Sequence, residues 1–378
     1  MKQVTWLKLS AIAGAAASLV CMSSAYADVN VTSNVTIYGS LDAGPTYVSN
    51  AGAGAKTILD YGGLQPDRIG FRGIENLGDG YSAVFKLENG FSTSTGAMIR
   101  PGVLFNRMSY VGIANQQVGT LTLGHQTTIM FDMLDPLSTG YILGSFYAFH
   151  PGNLDDLANI GTPDNVIKFT SANFSGLTAA AMIGLGGQAG DSSTNRVLGF
   201  GANYVNGPLK IGAAYNSANN KVLTLESSMG LTSLAGQDFA ATGGTMPTNN
   251  VRNMGLGASY DTGPVLLHTL FTQTRIEGLV GSAKMNNAEL GANFRITPVY
   301  SFNLGYTYSK LDDMKWNQFN LNNVYSLSKR TEVYLQGTLQ KASGQTDTGE
   351  STLAAINTAG ISSNQNQATL RLGVHHSF

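Results

Sequence analysis

The sequence predicts an all-β fold: a 16-stranded antiparallel transmembrane β-barrel with short turns at one end and long loops at the other. Three observations carry this. Apolar and polar residues alternate with period two along most of the chain, which sorts them onto opposite faces of strands. Charged residues make up 12% of the chain, against a usual ~25%, and Gly reaches 46 of 378. Beyond residue 27 no apolar run approaches the ~20 residues of a spanning helix, so lipid contact falls to strands with one apolar and one polar face.

Residues 1–27 read as a secretory signal peptide. Lys2 and Lys8 precede a small and apolar run from Leu9 to Met22, and Ala25-Tyr26-Ala27 is an A-x-A cleavage signature. The only cysteine, Cys21, lies inside it. Residues 28–378, the expected barrel, therefore hold no disulfide, Cys-based metal site or thiol nucleophile. Without Lys2 and Lys8, 20 basic residues face 23 acidic ones, which leaves no electrostatic footprint for nucleic acid.

The strands follow in order. Asn34 to Tyr47 sets Val35, Ile37, Leu41 and Ala43 against Thr36, Tyr38, Ser40 and Asp42. A second strand, Asp67 to Glu75, sets Ile69 and Phe71 against Arg68 and Arg72 and ends in the turn Leu77-Gly78-Asp79-Gly80. Tyr81 to Phe91, Phe105 to Ala114 and Thr120 to Gln126 complete the first five. Eleven more are read at 165–171, 177–187, 196–205, 209–217, 253–261, 265–276, 287–297, 300–310, 317–327, 331–341 and 366–378. The total is even. Tight turns such as Asn206-Gly207-Pro208 and Thr262-Gly263-Pro264 alternate with long polar loops, 219–250 and 342–365 among them, the asymmetry of an outer-membrane barrel. Tyr204, Tyr260, Phe294, Tyr300, Phe302 and Tyr325 lie near the tight turns and are expected to form an interfacial girdle.

One interval breaks the pattern. Thr127 to Asp164 shows no strand period, and structureless connections beyond roughly 12–15 residues are uncommon unless they carry function. It holds five acids, no Lys or Arg, and the large apolar residues Phe131, Leu134, Leu143, Phe146, Tyr147 and Phe149. So apolar a segment is expected to pack against a wall built by the rest of the chain.

The last strand helps decide between a barrel and a soluble sandwich, since it resembles the terminal strands of bacterial outer-membrane barrels. Leu370, Leu372, Val374 and Phe378 share one face of a strand that stops on an aromatic residue. A barrel leaves no strand edge exposed, and 16 strands enclose a lumen wide enough for water.

The runs Asn34-Val35-Thr36-Ile37-Tyr38-Gly39-Ser40-Leu41-Asp42, Arg68-Ile69-Gly70-Phe71-Arg72-Gly73-Ile74-Glu75-Asn76-Leu77-Gly78-Asp79-Gly80 and Phe85-Lys86-Leu87-Glu88-Asn89-Gly90-Phe91 resemble the Gram-negative general porins of beta-proteobacterial type. Phe105-Asn106-Arg107 and Gly119-Thr120-Leu121-Thr122-Leu123-Gly124 continue the match. The resemblance implies a homotrimeric diffusion pore in the outer membrane, with short periplasmic turns and an inward-folded third loop, residues 127–164, that narrows the lumen. Its implied partners are lipid and lipopolysaccharide of the outer membrane, small hydrophilic solutes and ions; no cofactor is implied. The expected constriction sets Asp132, Asp135, Asp155 and Asp156 of the loop against Arg68, Arg72, Lys86, Arg107 and Lys168 of the wall. Opposite charges across a gap narrower than the ~8 Å screening length are poorly screened by salt and sort ions by charge.

Two departures from the family pattern lower the fixed positive charge. Gly124-His125-Gln126 stands where the family usually shows Gly-Arg-Gln, and Thr162 aligns where a further Arg is common. The expectation is weak charge selectivity, with pH dependence through His125. Metal and catalytic readings find little footing. His375 and His376 leave a strand on opposite faces, and His125, His150 and His268 have no metal-ligand spacing. A substrate-selective channel, an outer-membrane enzyme and a barrel adhesin are the competing readings; no nucleophile motif supports the enzyme.

Overall fold

Sixteen long strands, each antiparallel to the next, close into a barrel in the computed structural model of the protein. The described residues are 33–158 and 162–378; the expected signal peptide lies outside them. The staves are β1 (Asn34–Val48), β2 (Arg68–Gly78), β3 (Tyr81–Gly90), β4 (Met108–Asn115), β5 (Gly119–His125), β6 (Val166–Ser171), β7 (Leu177–Gly184) and β8 (Val197–Asn206). They continue as β9 (Leu209–Asn219), β10 (Met246–Asp261), β11 (Val265–Gly278), β12 (Ser282–Thr297), β13 (Tyr300–Leu311), β14 (Met314–Ser326), β15 (Thr331–Ser343) and β16 (Asn366–Ser377). Two short strands, Lys56–Tyr61 and Val222–Leu223, add to the same sheet at β1 and β10. The barrel shuts where β1 pairs β16, from Ser40↔Ser377 to Val48↔Thr369.

Burial is inverted relative to a soluble protein. Val35 is 66% exposed on the outside and Leu290 64%, whereas Asp42 and Asn322 are fully buried on the inside. Each strand therefore turns its apolar face to lipid and its polar face to the lumen. Tyr260 and Tyr325, at the tight-turn end, stand exposed on the outer face as a girdle requires.

Several strand ends differ from the sequence expectation. β10 begins at Met246 and β12 at Ser282, earlier than expected, while β4 begins at Met108, later. The extra rungs of β10 and β12 lie near the rim, where neither face need match hydrocarbon and the alternation that marks a strand fades. At that end the inner face becomes apolar. Ile276, Met285, Leu311, Met314, Trp316 and Ala342 pack with Leu225, Met229, Leu231, Leu234 and Phe239 of the 219–250 connection. That connection is not bare loop, since it contains the helix Leu225–Met229 and a small hairpin.

Candidate functional site

The described residues of the interval Thr127 to Asp164 fold into the lumen as α1 (Ile129–Leu134), α2 (Thr139–Leu143) and three single 3₁₀ turns. Helices of six and five residues do not stand alone in water; caps and packing hold these. The Thr128 hydroxyl accepts from the Phe131 amide at 3.3 Å, and the Ser138 hydroxyl accepts from the Tyr141 amide at 3.1 Å. Ile129, Met130, Met133, Leu134 and Leu137 bury against Ala180, Met182, Ala214 and Leu270 of the inner wall. Glycines let the loop lie this close: a Cβ on Gly201 would stand 2.8 Å from Ile129, and one on Gly255 2.6 Å from Leu134.

A buried irregular backbone needs partners for its carbonyls. Inward amides of β14 and one from the 344–365 connection supply them. Asn322 Nδ2 donates to Leu143 O at 2.6 Å, Gln318 Nε2 to Tyr147 O at 3.0 Å and Asn357 Nδ2 to Phe146 O at 2.9 Å.

Charged side chains tie the loop down at both sides. Lys168 Nζ lies 2.7 Å from Asp132 and donates to Thr127 O at 2.6 Å, which fixes the loop's root. Deeper in, His150 sits between two carboxylates, with Nδ1 2.7 Å from Asp155 and Nε2 2.7 Å from Glu289 of β12, all three buried. Asp155 also accepts from Thr272 Oγ1 at 2.6 Å, and Glu289 accepts from the Thr139 amide. Burial opposes a charge on His150, yet the Asp155 and Glu289 carboxylates win and raise it to about 10. Burial likewise pushes Asp155 up, but His150 holds it below the usual carboxylate range.

Between the loop and the wall of β1–β4 runs a lumenal gap of about 520 Å³. Arg68, Arg72, Lys86 and Arg107 line its wall side, and Phe131, Asp132, Asp135, Tyr141, Phe146 and Phe149 its loop side. Glu88 stands among the cations, 2.6 Å from Arg107 and 3.4 Å from Lys86, and accepts from Tyr38 Oη at 2.7 Å. Arg72 and Lys86 lie over the Tyr38 ring at 5.5 Å and 5.6 Å.

Six of the ten expected site residues thus share one gap: Arg68, Arg72, Lys86, Arg107, Asp132 and Asp135. Four do not. Asp155 turns toward His150 of the loop and Thr272 of the wall, Asp156 pairs with Lys221 at 2.8 Å, and Lys168 lies under the loop root. His125 is not among the lining residues, and its Nδ1 lies 2.7 Å from Asp164. A loop acid that faces its own wall satisfies a buried anchor rather than the aqueous path, so the gap carries less negative charge than the loop's composition implies.

A channel of this build has known relatives. The family model of Gram-negative porins matches residues 10–345. The chain belongs to this family. This porin is 28% identical to an outer-membrane porin of Delftia acidovorans, over 92% of this chain and 94% of that protein. It is 26% identical to an outer-membrane porin of Bordetella pertussis, over 85% and 93%. Among solved structures, an anion-selective porin from Comamonas acidovorans superposes with a TM-score of 0.75 at 26% identity, covering 92% of this chain and all of that one. The porin is an outer-membrane diffusion channel with a closed 16-stranded barrel. The sequence reading missed Glu88, Tyr38, Glu289 and His150 as site residues. Parity already placed Glu88 and Tyr38 on inward faces, beside Lys86 and facing the cations; an inward acid amid inward bases was the available signal.

Proposed function

We propose that the porin passes ions and small hydrophilic solutes through the gap between its third loop and the β1–β4 wall, with a modest preference for anions. One observation carries this: four cations line the wall, whereas of the three carboxyl groups in the gap Asp132 is already paired with Lys168 and Asp135 is deeply buried. The excess of positive charge in a narrow, low-dielectric gap favours anions. The Comamonas relative is described as anion-selective, and the same sense of selectivity is proposed here on these residues.

A homotrimer surrounded by outer-membrane lipid and lipopolysaccharide is part of the same reading. An outer-membrane protein of Vibrio cholerae with this fold is described in a trimer form. Reversal potentials in a planar bilayer under a KCl gradient test the proposal. The expected sign is that of anion preference, with Arg68→Gln and Arg107→Gln each moving it toward cations. An unselective wild type, or variants that leave the potential unchanged, would place the selectivity elsewhere. Closure in three equal current steps is the expected signature of the trimer.

A further inference from the structure

A second cavity lies among the long loops, beside the lumenal gap. It holds about 400 Å³, within the ~300–1,000 Å³ range of small-ligand sites. Four segments distant in sequence enclose it: the 49–67 connection, the 91–107 connection, the third loop and the 344–365 connection. Pro66, Arg107 and Phe146 line both this cavity and the gap, so they form the partition between the two.

The charged groups of the cavity are unequally free. Its two carboxylates are already satisfied. Asp67 accepts from the Asp42 amide at 2.7 Å with one oxygen, and from the Thr93 amide at 2.8 Å and the Thr93 hydroxyl with the other. Asp60 accepts from the Tyr61 amide at 2.9 Å and from the Tyr147 hydroxyl, with Arg371 Nη1 3.6 Å away. The two guanidinium groups are different. Arg107 engages Glu88 through Nε alone, at 2.6 Å, and neither of its terminal amino groups makes a hydrogen bond among the described residues. Arg100 is exposed and makes no hydrogen bond or ion pair among the described residues. The cavity therefore offers a ligand free donors of positive charge and no free acceptor of negative charge, which suits a carboxylate.

The rest of the lining is apolar or aromatic: Tyr61, Pro66, Ile99 and Phe146. Ile99 is 51% exposed, an apolar side chain left uncovered where it borders a water-filled cavity. Phe146 is fixed from both sides. Its amide donates to Gly63 O at 3.0 Å, its carbonyl accepts from Asn357 Nδ2 at 2.9 Å, and its ring packs edge-on against Phe149 at 5.4 Å. Asn106 exchanges two bonds of 3.0 Å with the Gly90 backbone, which holds the chain that carries Arg107. A ring and a guanidinium already held in place lose little freedom when a ligand arrives.

We propose that this cavity binds a small aromatic carboxylate, with its carboxylate on Arg107 and Arg100 and its ring against Phe146, Tyr61 and Ile99. The proposal rests on the channel reading and names a solute class for it. An inorganic anion meets the arginines without using the apolar wall, and a neutral aromatic meets the wall without using the arginines. Only a molecule that carries both features uses both. Held there, it stands one partition away from the gap.

Benzoate is the probe, with benzamide as its uncharged counterpart and cyclohexanecarboxylate as its non-aromatic one. Dissociation constants would be measured by saturation-transfer NMR titration on the full folded porin in detergent. Benzoate should bind saturably and about tenfold more tightly than benzamide, which lacks the charge that strengthens its hydrogen bonds. It should also bind about threefold more tightly than cyclohexanecarboxylate, which cannot stack on a ring. Arg100→Gln should weaken benzoate by about tenfold and leave benzamide unchanged, whereas Ile99→Ser should weaken both alike. Equal affinity of the wild type for benzoate and benzamide overturns the proposal, as does an Arg100→Gln porin that binds benzoate like the wild type. Equal affinity for benzoate and cyclohexanecarboxylate overturns the aromatic class. Conductance in KCl without the acid reports separately on the channel reading: a silent bilayer with benzoate binding intact sinks the channel and spares the cavity, and a conducting pore without binding does the reverse.

Discussion

Asp135 shows how one buried carboxyl can decide the charge of a pore. It lines the gap, and burial pushes it up to about 8, with Glu289 adding to the rise and Lys210 and Arg107 opposing it. Near neutral pH it is mostly protonated, and the wall cations dominate. As pH climbs through about 8 the carboxyl ionises and adds a negative charge to the gap, so anion preference should weaken. A unit charge ~6 Å from the path in a water-like medium is worth ~0.7 kcal/mol, about threefold in a permeability ratio. Reversal potentials across a pH series should show this shift in the wild type and a flat profile in Asp135→Asn; identical profiles would rule the residue out. Asp135 lines the gap, which adds it to His125 as a second candidate for the pH response. Glu88→Gln makes the opposite change: it removes the carboxylate between Arg107 and Lys86, so anion preference should rise by about threefold on the same scale. A shift toward cations, or none, would mean that Glu88 is screened from the permeating ion. Both residues were legible as inward or as acidic loop positions. Their partners were not, because period two gives the face of a side chain and says nothing about what stands across the lumen.

The third loop holds its place through the same economy of partners, one scale up. His150 is the cation between Asp155 and Glu289, and without it two buried carboxylates face each other. Breaking a buried pair in this way costs about 3–5 kcal/mol. His150→Gln should therefore loosen the loop, read as larger open-channel current noise and faster proteolysis within 127–164, while the barrel persists. The pH window follows from the two shifts. His150 is raised above its unfolded value, so its contribution is complete below ~6.5 and is lost as pH rises through about 10. Asp155 is depressed, so its contribution is present above ~3.9 and is lost as pH falls into acid. Noise that stays constant from acid to alkaline pH would show that the loop hangs on its apolar contacts alone. The sequence identified this segment by its missing strand period and by its apolar anchors, and Leu134, Leu143 and Phe149 are buried as expected. Its short helices were not legible. Five or six residues give no readable helical period, and the glycines and inward amides that receive them are spread over several other strands.

The barrel as a whole depends on one seam, since a closed sheet must join its first strand to its last. The sequence showed the even strand count, which follows from local alternation. It did not show how the seam is fastened, because the fastening residues are 329 positions apart. Arg371 of β16 is fully buried with Nη2 2.7 Å from Asp42 of β1, and its Nε donates at 2.7 Å to the Tyr334 hydroxyl, which in turn donates to Asp42. Asp42 also accepts from the Gly63 and Leu64 amides at 3.1 Å and 2.8 Å, where the chain bends between the short strand Lys56–Tyr61 and β2. Asp60 extends the network to the Tyr147 hydroxyl, so the third loop is moored to the seam on one side and to β12 on the other. Arg371→Leu leaves Asp42 buried without a cation and should cost about 3–5 kcal/mol. Adding Asp42→Asn removes the unpaired charge and should recover much of that loss, because a buried pair replaced as a unit is often nearly neutral. The measurement is the denaturant midpoint and unfolding rate of the folded barrel, followed by its heat-dependent gel mobility. If the backbone ladder of β1 and β16 were sufficient by itself, Arg371→Leu would match the wild type in both. If the ion pair fastens the seam, the single variant unfolds faster, the double variant falls between, and channel noise rises with the single variant because the mooring of Tyr147 loosens with it.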